Sequence, residues 1–278
     1  MSPMAASLMN AIDDGLHPVW WPALTSILAD AHPSHSGAYS TSRELASDAD
    51  AKSAFITVEA SSQDEMQLRI EMLEGSAAVA LRTKGFELYL FHELQTNICL
   101  QTLSEALTLI SRITSLGNSV QTLVKSIHLL RPEHAAIDIS FSEPKLPFSI
   151  FVSVPSSRVL NDASRVAEAI IHEAMHLQLS LAERAVPLVR ESEVKTFSPW
   201  RNQTRDASGL LHALYVFRVI FDWLGVPIDG HVSEYAACRR REIEQQVKRA
   251  DWVEVVRGLT PAGAALVTQL LHGLTIRA

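Results

Sequence analysis

Apolar residues recur at intervals of three and four through residues 64 to 127, in DEMQLRIEMLEGSAAVALRTKGFELYLFHELQTNICLQTLSEALTLISRI and the residues after it. That is the period of helices burying one face, so several packed helices are expected there. The pattern then switches. In AAIDISFSEPKLPFSIFVSVP, residues 135 to 155, Ile137, Ile139 and Phe141 alternate with polar residues, as do Ile150, Val152 and Val154 beyond a Pro-containing turn. Two strands, paired as a hairpin, are predicted. Helical spacing returns at 161–185 (ending near Pro187), at 206–224 (ending in the GVP of 225–227), at 231–256, and after Pro261. Residues 29–53, rich in Ser, Ala and Asp, read as a loop or weak helix after an N-terminal helix. A mainly α protein with a small β hairpin follows, of the α+β class. Residues 1–130 form a helical scaffold, and residues 131–278 a helical region entered through the strand pair, the two joined in one globular unit.

Composition changes this picture little: 47% hydrophobic and 20% charged residues over 278 positions are ordinary for a folded domain. A net charge of −7 makes nucleic acid a poor partner, and the one basic run, CRRRE at 238–242, is expected on a solvated helix face. The N-terminus has no basic start before an apolar core, and no stretch reads as a membrane span, so a cytoplasmic protein without a membrane partner is expected. Cys99 and Cys238 are too far apart for a thiolate metal motif, which leaves His and carboxylate as the metal-ligating chemistry.

That chemistry appears in EAIIHEAMHLQLS, residues 168–180. His172 and His176, four apart, project from one helix face one turn apart, where two imidazoles can reach one divalent ion, and Glu173 flanks them. A chain of this composition holds about 0.03 such His-Glu-x-x-His matches by chance, so the match asks for context. Asn161, Asp162 and Ser164 offer a helix start, and the apolar flanks predict burial, in which unpaired polar groups cost several kcal/mol. The competing reading is a hydrogen-bonded His pair in a helical core. A metal site needs a third ligand, and Glu183, Glu191, Glu193, His212, Asp222, His231 and Glu234 are the candidates downstream. With a Glu ligand and Glu173 as general base the site is that of a zinc peptidase; with three protein ligands and further open positions, that of an iron oxygenase.

FSPWRNQTRDASGLLHALYVF, residues 197–217, adds a second constellation. An HExxH helix, then Ser-Pro-Trp-Arg, a second Arg four residues on and Gly-Leu-Leu-His resemble the HExxH-type peptide-modification family. Its members are described as 2-oxoglutarate- and iron(II)-dependent β-hydroxylases of ribosomally made peptides. The matching residues are His172, Glu173, His176, Trp200, Arg201, Arg205, Gly209, His212 and Tyr215, within a similarity that spans about 140–225. Asp206 and Ala213 depart from it, standing where family members often have Pro and Gly.

The resemblance implies a metal site between two helices, with His172, His176 and His212 holding Fe(II) and Arg201 or Arg205 gripping the distal carboxylate of 2-oxoglutarate. Guanidinium suits that task because it donates two parallel charge-assisted hydrogen bonds. Trp200 and Tyr215 would lie toward the substrate, a precursor peptide, and Glu173 would orient a ligand or act in catalysis. Read without the resemblance, His212 is a core histidine, the arginines stack on Trp200 or pair with Glu191 and Glu193, and Trp200 packs. The alternatives are a zinc metallopeptidase using Zn(II), or a non-catalytic peptide-binding relative.

Overall fold

Alternation over MQLRIEM, with Met66, Leu68 and Ile70 buried, makes a strand of a segment that the three-four spacing assigned to helix. The computed structural model describes residues 55–60, 66–96, 98–132, 138–142, 148–227 and 230–274. Expectations for the N-terminal helix and for 29–53 lie outside them. The described residues divide into two compact units whose sequence boundary falls between Ala174 and Met175.

In the first unit the elements run β1 (Phe55–Glu59), β2 (Gln67–Glu71), α1 (Gly75–Thr83), β3 (Glu87–Leu88), α2 (Phe91–Thr96), α3 (Cys99–Ser111), α4 (Thr114–Leu123), β4 (Ser126–Arg131), β5 (Ser140–Ser142) and β6 (Ser149–Ser153). The strands form one mixed sheet in the order β1-β2-β4-β6-β5, with β3 also paired to β4. β5 and β6 pair antiparallel, Phe141 opposite Phe151, as the alternation predicted. The pair is the end of a larger sheet, because β6 also runs parallel to β4. Parallel central strands are covered on both faces, and the first five residues of β4 and all of β6 are buried accordingly. The result is α+β, with more sheet than the expected hairpin.

Buried polar groups stitch the two central strands. Ser126 and Ser149 share a hydroxyl–hydroxyl bond of 2.7 Å. His128 stacks on Phe151 at 4.6 Å and donates from Nδ1 to the Glu71 carbonyl at 2.8 Å. Its Nε2 is buried with no hydrogen-bond partner among the described residues, and burial holds its pKa below the ordinary histidine value.

In the second unit, the C-terminal part of α5 (Asp162–Ala185) is followed by β7 (Lys195–Ser198), β8 (Gln203–Asp206), α6 (Ala207–Leu224), α7 (Glu234–Arg249), α8 (Trp252–Arg257) and α9 (Pro261–Leu271). The helix expected over 231–256 breaks at Ala250–Asp251, where the Asp251 carboxylate accepts from Glu254 N and starts α8. The arginine run is less solvated than expected: Arg239 and Arg240 sit over the rings of Phe217 and Phe221 at 5.3 and 4.1 Å. α6, with mean hydropathy 1.3 over 18 residues, is by length and composition alone apolar enough to cross a membrane, and 61% of it is buried inside the protein, as in a core helix. It also carries the ion pair Arg218–Asp222 at 2.9 Å.

Residues 187–190 lie against the start of α9. Thr260 N donates to Leu188 O and Arg190 N to Gly258 O. A Cβ at Gly263 would stand 2.1 Å from Leu188 O, so this contact requires glycine. Gly263→Ala is therefore expected to cost at least about 1–3 kcal/mol in urea unfolding, and an unchanged midpoint would contradict the packing.

His128 generates a pH dependence. Its folded pKa lies below its unfolded value of about 6.5, so the unfolded chain binds the proton first and stability falls as pH drops below that value. His128→Phe, which keeps a ring on Phe151, is expected to flatten this fall; equal pH slopes for wild type and variant would show that the buried imidazole does not cause it.

Candidate functional site

α5 opens at Asn161, whose left-handed backbone (φ 59°) suits asparagine, and at Asp162, whose carboxylate accepts from Ala163 N. It then runs unbroken for 24 residues and carries the whole HExxH motif. His172 and His176 are both half-buried on this helix, at the spacing that puts them on one face.

In the first unit, Glu173 is buried and accepts a hydrogen bond of 2.8 Å from the Ser140 hydroxyl of β5. Ser140 was not anticipated. It lies 33 residues away on an end strand, and no local pattern links it to the helix.

In the second unit, His176 and His212 come together. Asp206 caps α6 by accepting from Gly209 N at 2.8 Å, and α6 then carries His212 against α5. The two Nδ1 atoms are 3.1 Å apart and the rings are stacked with centroids 5.3 Å apart. On its other edge, His212 Nε2 donates to Glu183 Oε2 at 3.0 Å. Glu183, one of the candidate third ligands, thus lies behind His212 instead of beside its Nδ1. Its position seven residues after His176 puts it on the same helix face, a signal present in the sequence.

Imidazole and carboxylate are donor types that bind divalent ions, and the 3.1 Å separation of the two Nδ1 atoms is that of an N–H···N hydrogen bond. Among the described residues, however, no group of three His, Cys, Asp or Glu is arranged to hold a metal. Of the other candidates, Asp222 is paired with Arg218, and Glu191, Glu193, His231 and Glu234 are exposed.

The remaining residues separate into cations and packing groups. Trp200 and Arg201 occupy the loop of the β7–β8 hairpin, which turns through Asn202 at φ 51°. Trp200 stacks on Phe217 at 5.5 Å with rings 2° from parallel, and Trp252 approaches it at 6.2 Å. Arg201 and Arg205 are exposed and form no hydrogen bond or ion pair among the described residues. Neither stacks on Trp200 nor pairs with Glu191 or Glu193. Arg205 lies over the first turn of α6: a Cβ at Gly209 would be 3.0 Å from its Nε and 3.2 Å from Nη2. Gly209 therefore makes room for the guanidinium, and His212, three residues on, shares its helix face. Tyr215 lies in the core, where its hydroxyl donates to Gln178 Oε1 at 2.6 Å and burial pushes its pKa up.

Tyr215→Phe leaves Gln178, fully buried, without that partner, and is expected to cost about 1–3 kcal/mol in thermal or urea unfolding; a neutral substitution would mean that water replaces the hydroxyl. No family model matches the chain, and no curated protein is significantly similar to it.

Proposed function

We propose that the protein is an Fe(II)- and 2-oxoglutarate-dependent oxygenase that hydroxylates the β-carbon of a residue in a ribosomally made precursor peptide. The observation that carries this reading is the meeting of His176, the second histidine of HExxH, with His212 at 3.1 Å, together with Arg205, which forms no hydrogen bond or ion pair among the described residues and lies over Gly209, one turn before His212. His172, one turn before His176 on α5, would be the third ligand. When bound, iron and 2-oxoglutarate supply the oxidising power for inserting oxygen into a C–H bond.

The chain's own residues do the binding and aiming. Arg205 is the better placed of the two arginines to grip the distal carboxylate, because it lies over Gly209 on the face of α6 that carries His212, whereas Arg201 is in the hairpin loop. Glu173 is held by Ser140, which suits a carboxylate that orients a neighbouring group more than one that must turn freely to take a proton from water. This is the point that weighs against the zinc peptidase. A peptide partner suits β5, the end strand of the described sheet, since an extended chain can add to a strand edge.

The test is anaerobic loading with Fe(II) and 2-oxoglutarate, followed by oxygen and peptide. Succinate and a gain of one oxygen in peptide mass are expected. Arg205→Ala is expected to weaken 2-oxoglutarate binding by about 10- to 100-fold, the loss of a charge-assisted hydrogen-bond pair. Glu173→Gln separates the readings, since it abolishes a peptidase while leaving 2-oxoglutarate turnover in an oxygenase. Peptide cleavage without succinate would overturn the oxygenase reading.

A further inference from the structure

We propose that the first unit carries a peptide-binding groove between α1 and the residues around β3, which takes an extended apolar segment with a basic residue at one end and an acidic residue at the other. The inference goes beyond the oxygenase reading and does not depend on it.

Ala78, Val79 and Arg82 of α1 line one side of this groove, at positions that share a helix face, so the helix axis runs along it. Leu88, Leu90 and Phe91 line it as well, and the space enclosed is about 360 Å³, within the roughly 300–1,000 Å³ of small binding sites. The floor is firm, because Ala78 and Leu88 belong to the buried cluster that holds Leu130 and Phe151. The rim is open: Val79, Leu90 and Phe91 are 59%, 46% and 37% exposed. Apolar side chains gathered at the mouth of one concavity and rimmed by charge are surface of the kind that a partner covers.

Charge decides which partner. Glu74 and Arg82 also line the groove, are exposed, and form no side-chain hydrogen bond or ion pair among the described residues. Glu74 precedes the first turn of α1, yet its carboxylate caps none of the helix N–H groups. Arg82 stands eight positions later, about 12 Å along the helix axis. An acyl chain with a single carboxylate would match Arg82 and leave Glu74 unmatched. A peptide matches both. In an extended chain rising about 3.3 Å per residue, positions i and i+4 are about 13 Å apart, and i, i+2 and i+4 point to the same side. A basic residue at i meets Glu74, an acidic residue at i+4 meets Arg82, and a large apolar residue at i+2 fills the space between.

The test is an NMR titration of the 15N-labelled full-length protein with the peptide acetyl-Lys-Leu-Phe-Leu-Glu-amide, capped so that only side chains carry charge. No metal or 2-oxoglutarate is added, so the result is independent of the oxygenase reading. Saturable amide shifts centred on residues 75–82 and 88–91 are expected. The same peptide with Gln at both ends is expected to bind about 2- to 10-fold more weakly, having lost two exposed ion pairs. Arg82→Glu is expected to reverse the preference, so that the peptide with Lys at both ends binds more tightly than the parent peptide. Val79→Asp, which puts a carboxylate on the apolar rim, is expected to weaken binding at least about 10-fold. Absence of binding overturns the proposal, as do shifts centred elsewhere. Equal affinity for the charged and the Gln-ended peptides also overturns it, a comparison that needs no variant to fold. Dodecanoate seated in the groove in preference to the peptide would replace it with a site for single-headed amphiphiles.

Discussion

Helix α5 must satisfy the polar groups on the side it buries. Apolar packing is non-directional and tolerates rotation of one helix against another, whereas an unpartnered buried polar group costs about 1–3 kcal/mol. In the second unit, Gln178 of α5 meets Tyr215 of α6, and His176 and Glu183 of α5 both meet His212 of α6. Three positions on one helix against two on the other fix which face of α6 is presented. The face that buries Leu210, Leu211, Leu214 and Tyr215 is thereby locked, and His212 is held at its border, half-buried.

The hairpin that enters α6 completes this placement. Trp200 rests between Phe217 and Trp252, anchoring the β7–β8 loop on the helices, and Asp206 ends β8 as the cap of α6. Arg205, one residue before the cap, lies over the only side-chain-free position of the first turn, Gly209. Hairpin and helix start are one device, which brings a cation to the His212 face while its guanidinium forms no hydrogen bond or ion pair among the described residues.

In the first unit the same rule operates with different partners. Glu173 is held by Ser140 from an end strand, and the Ser126–Ser149 pair ties β4 to β6. His128 is the exception: one nitrogen is bonded to Glu71 O, the other has no partner among the described residues, and the ring packs as an aromatic against Phe151. It is tolerated because the neutral form loses least on burial.

The helices α5, α6 and α9, and the antiparallel pair at 140–153, were legible in the chain because local spacing and capping residues determine them. The i,i+4 histidines share a helix face for the same reason, whereas Trp200, Arg205, Gly209 and His212 stood out only through a resemblance, not through spacing. The strands β2 and β4 were not. β2 is a five-residue alternation inside a stretch whose average spacing is helical, and β4 loses alternation because its neighbours cover both faces. Nor could the chain say that Glu183 would bond to His212, or that Ser140 would reach Glu173. Sequence spacing determined which side chains share a helix face. Which atoms meet across elements was decided only by tertiary structure, because a hydrogen bond depends on the rotation of two elements about each other, which no single element's spacing encodes.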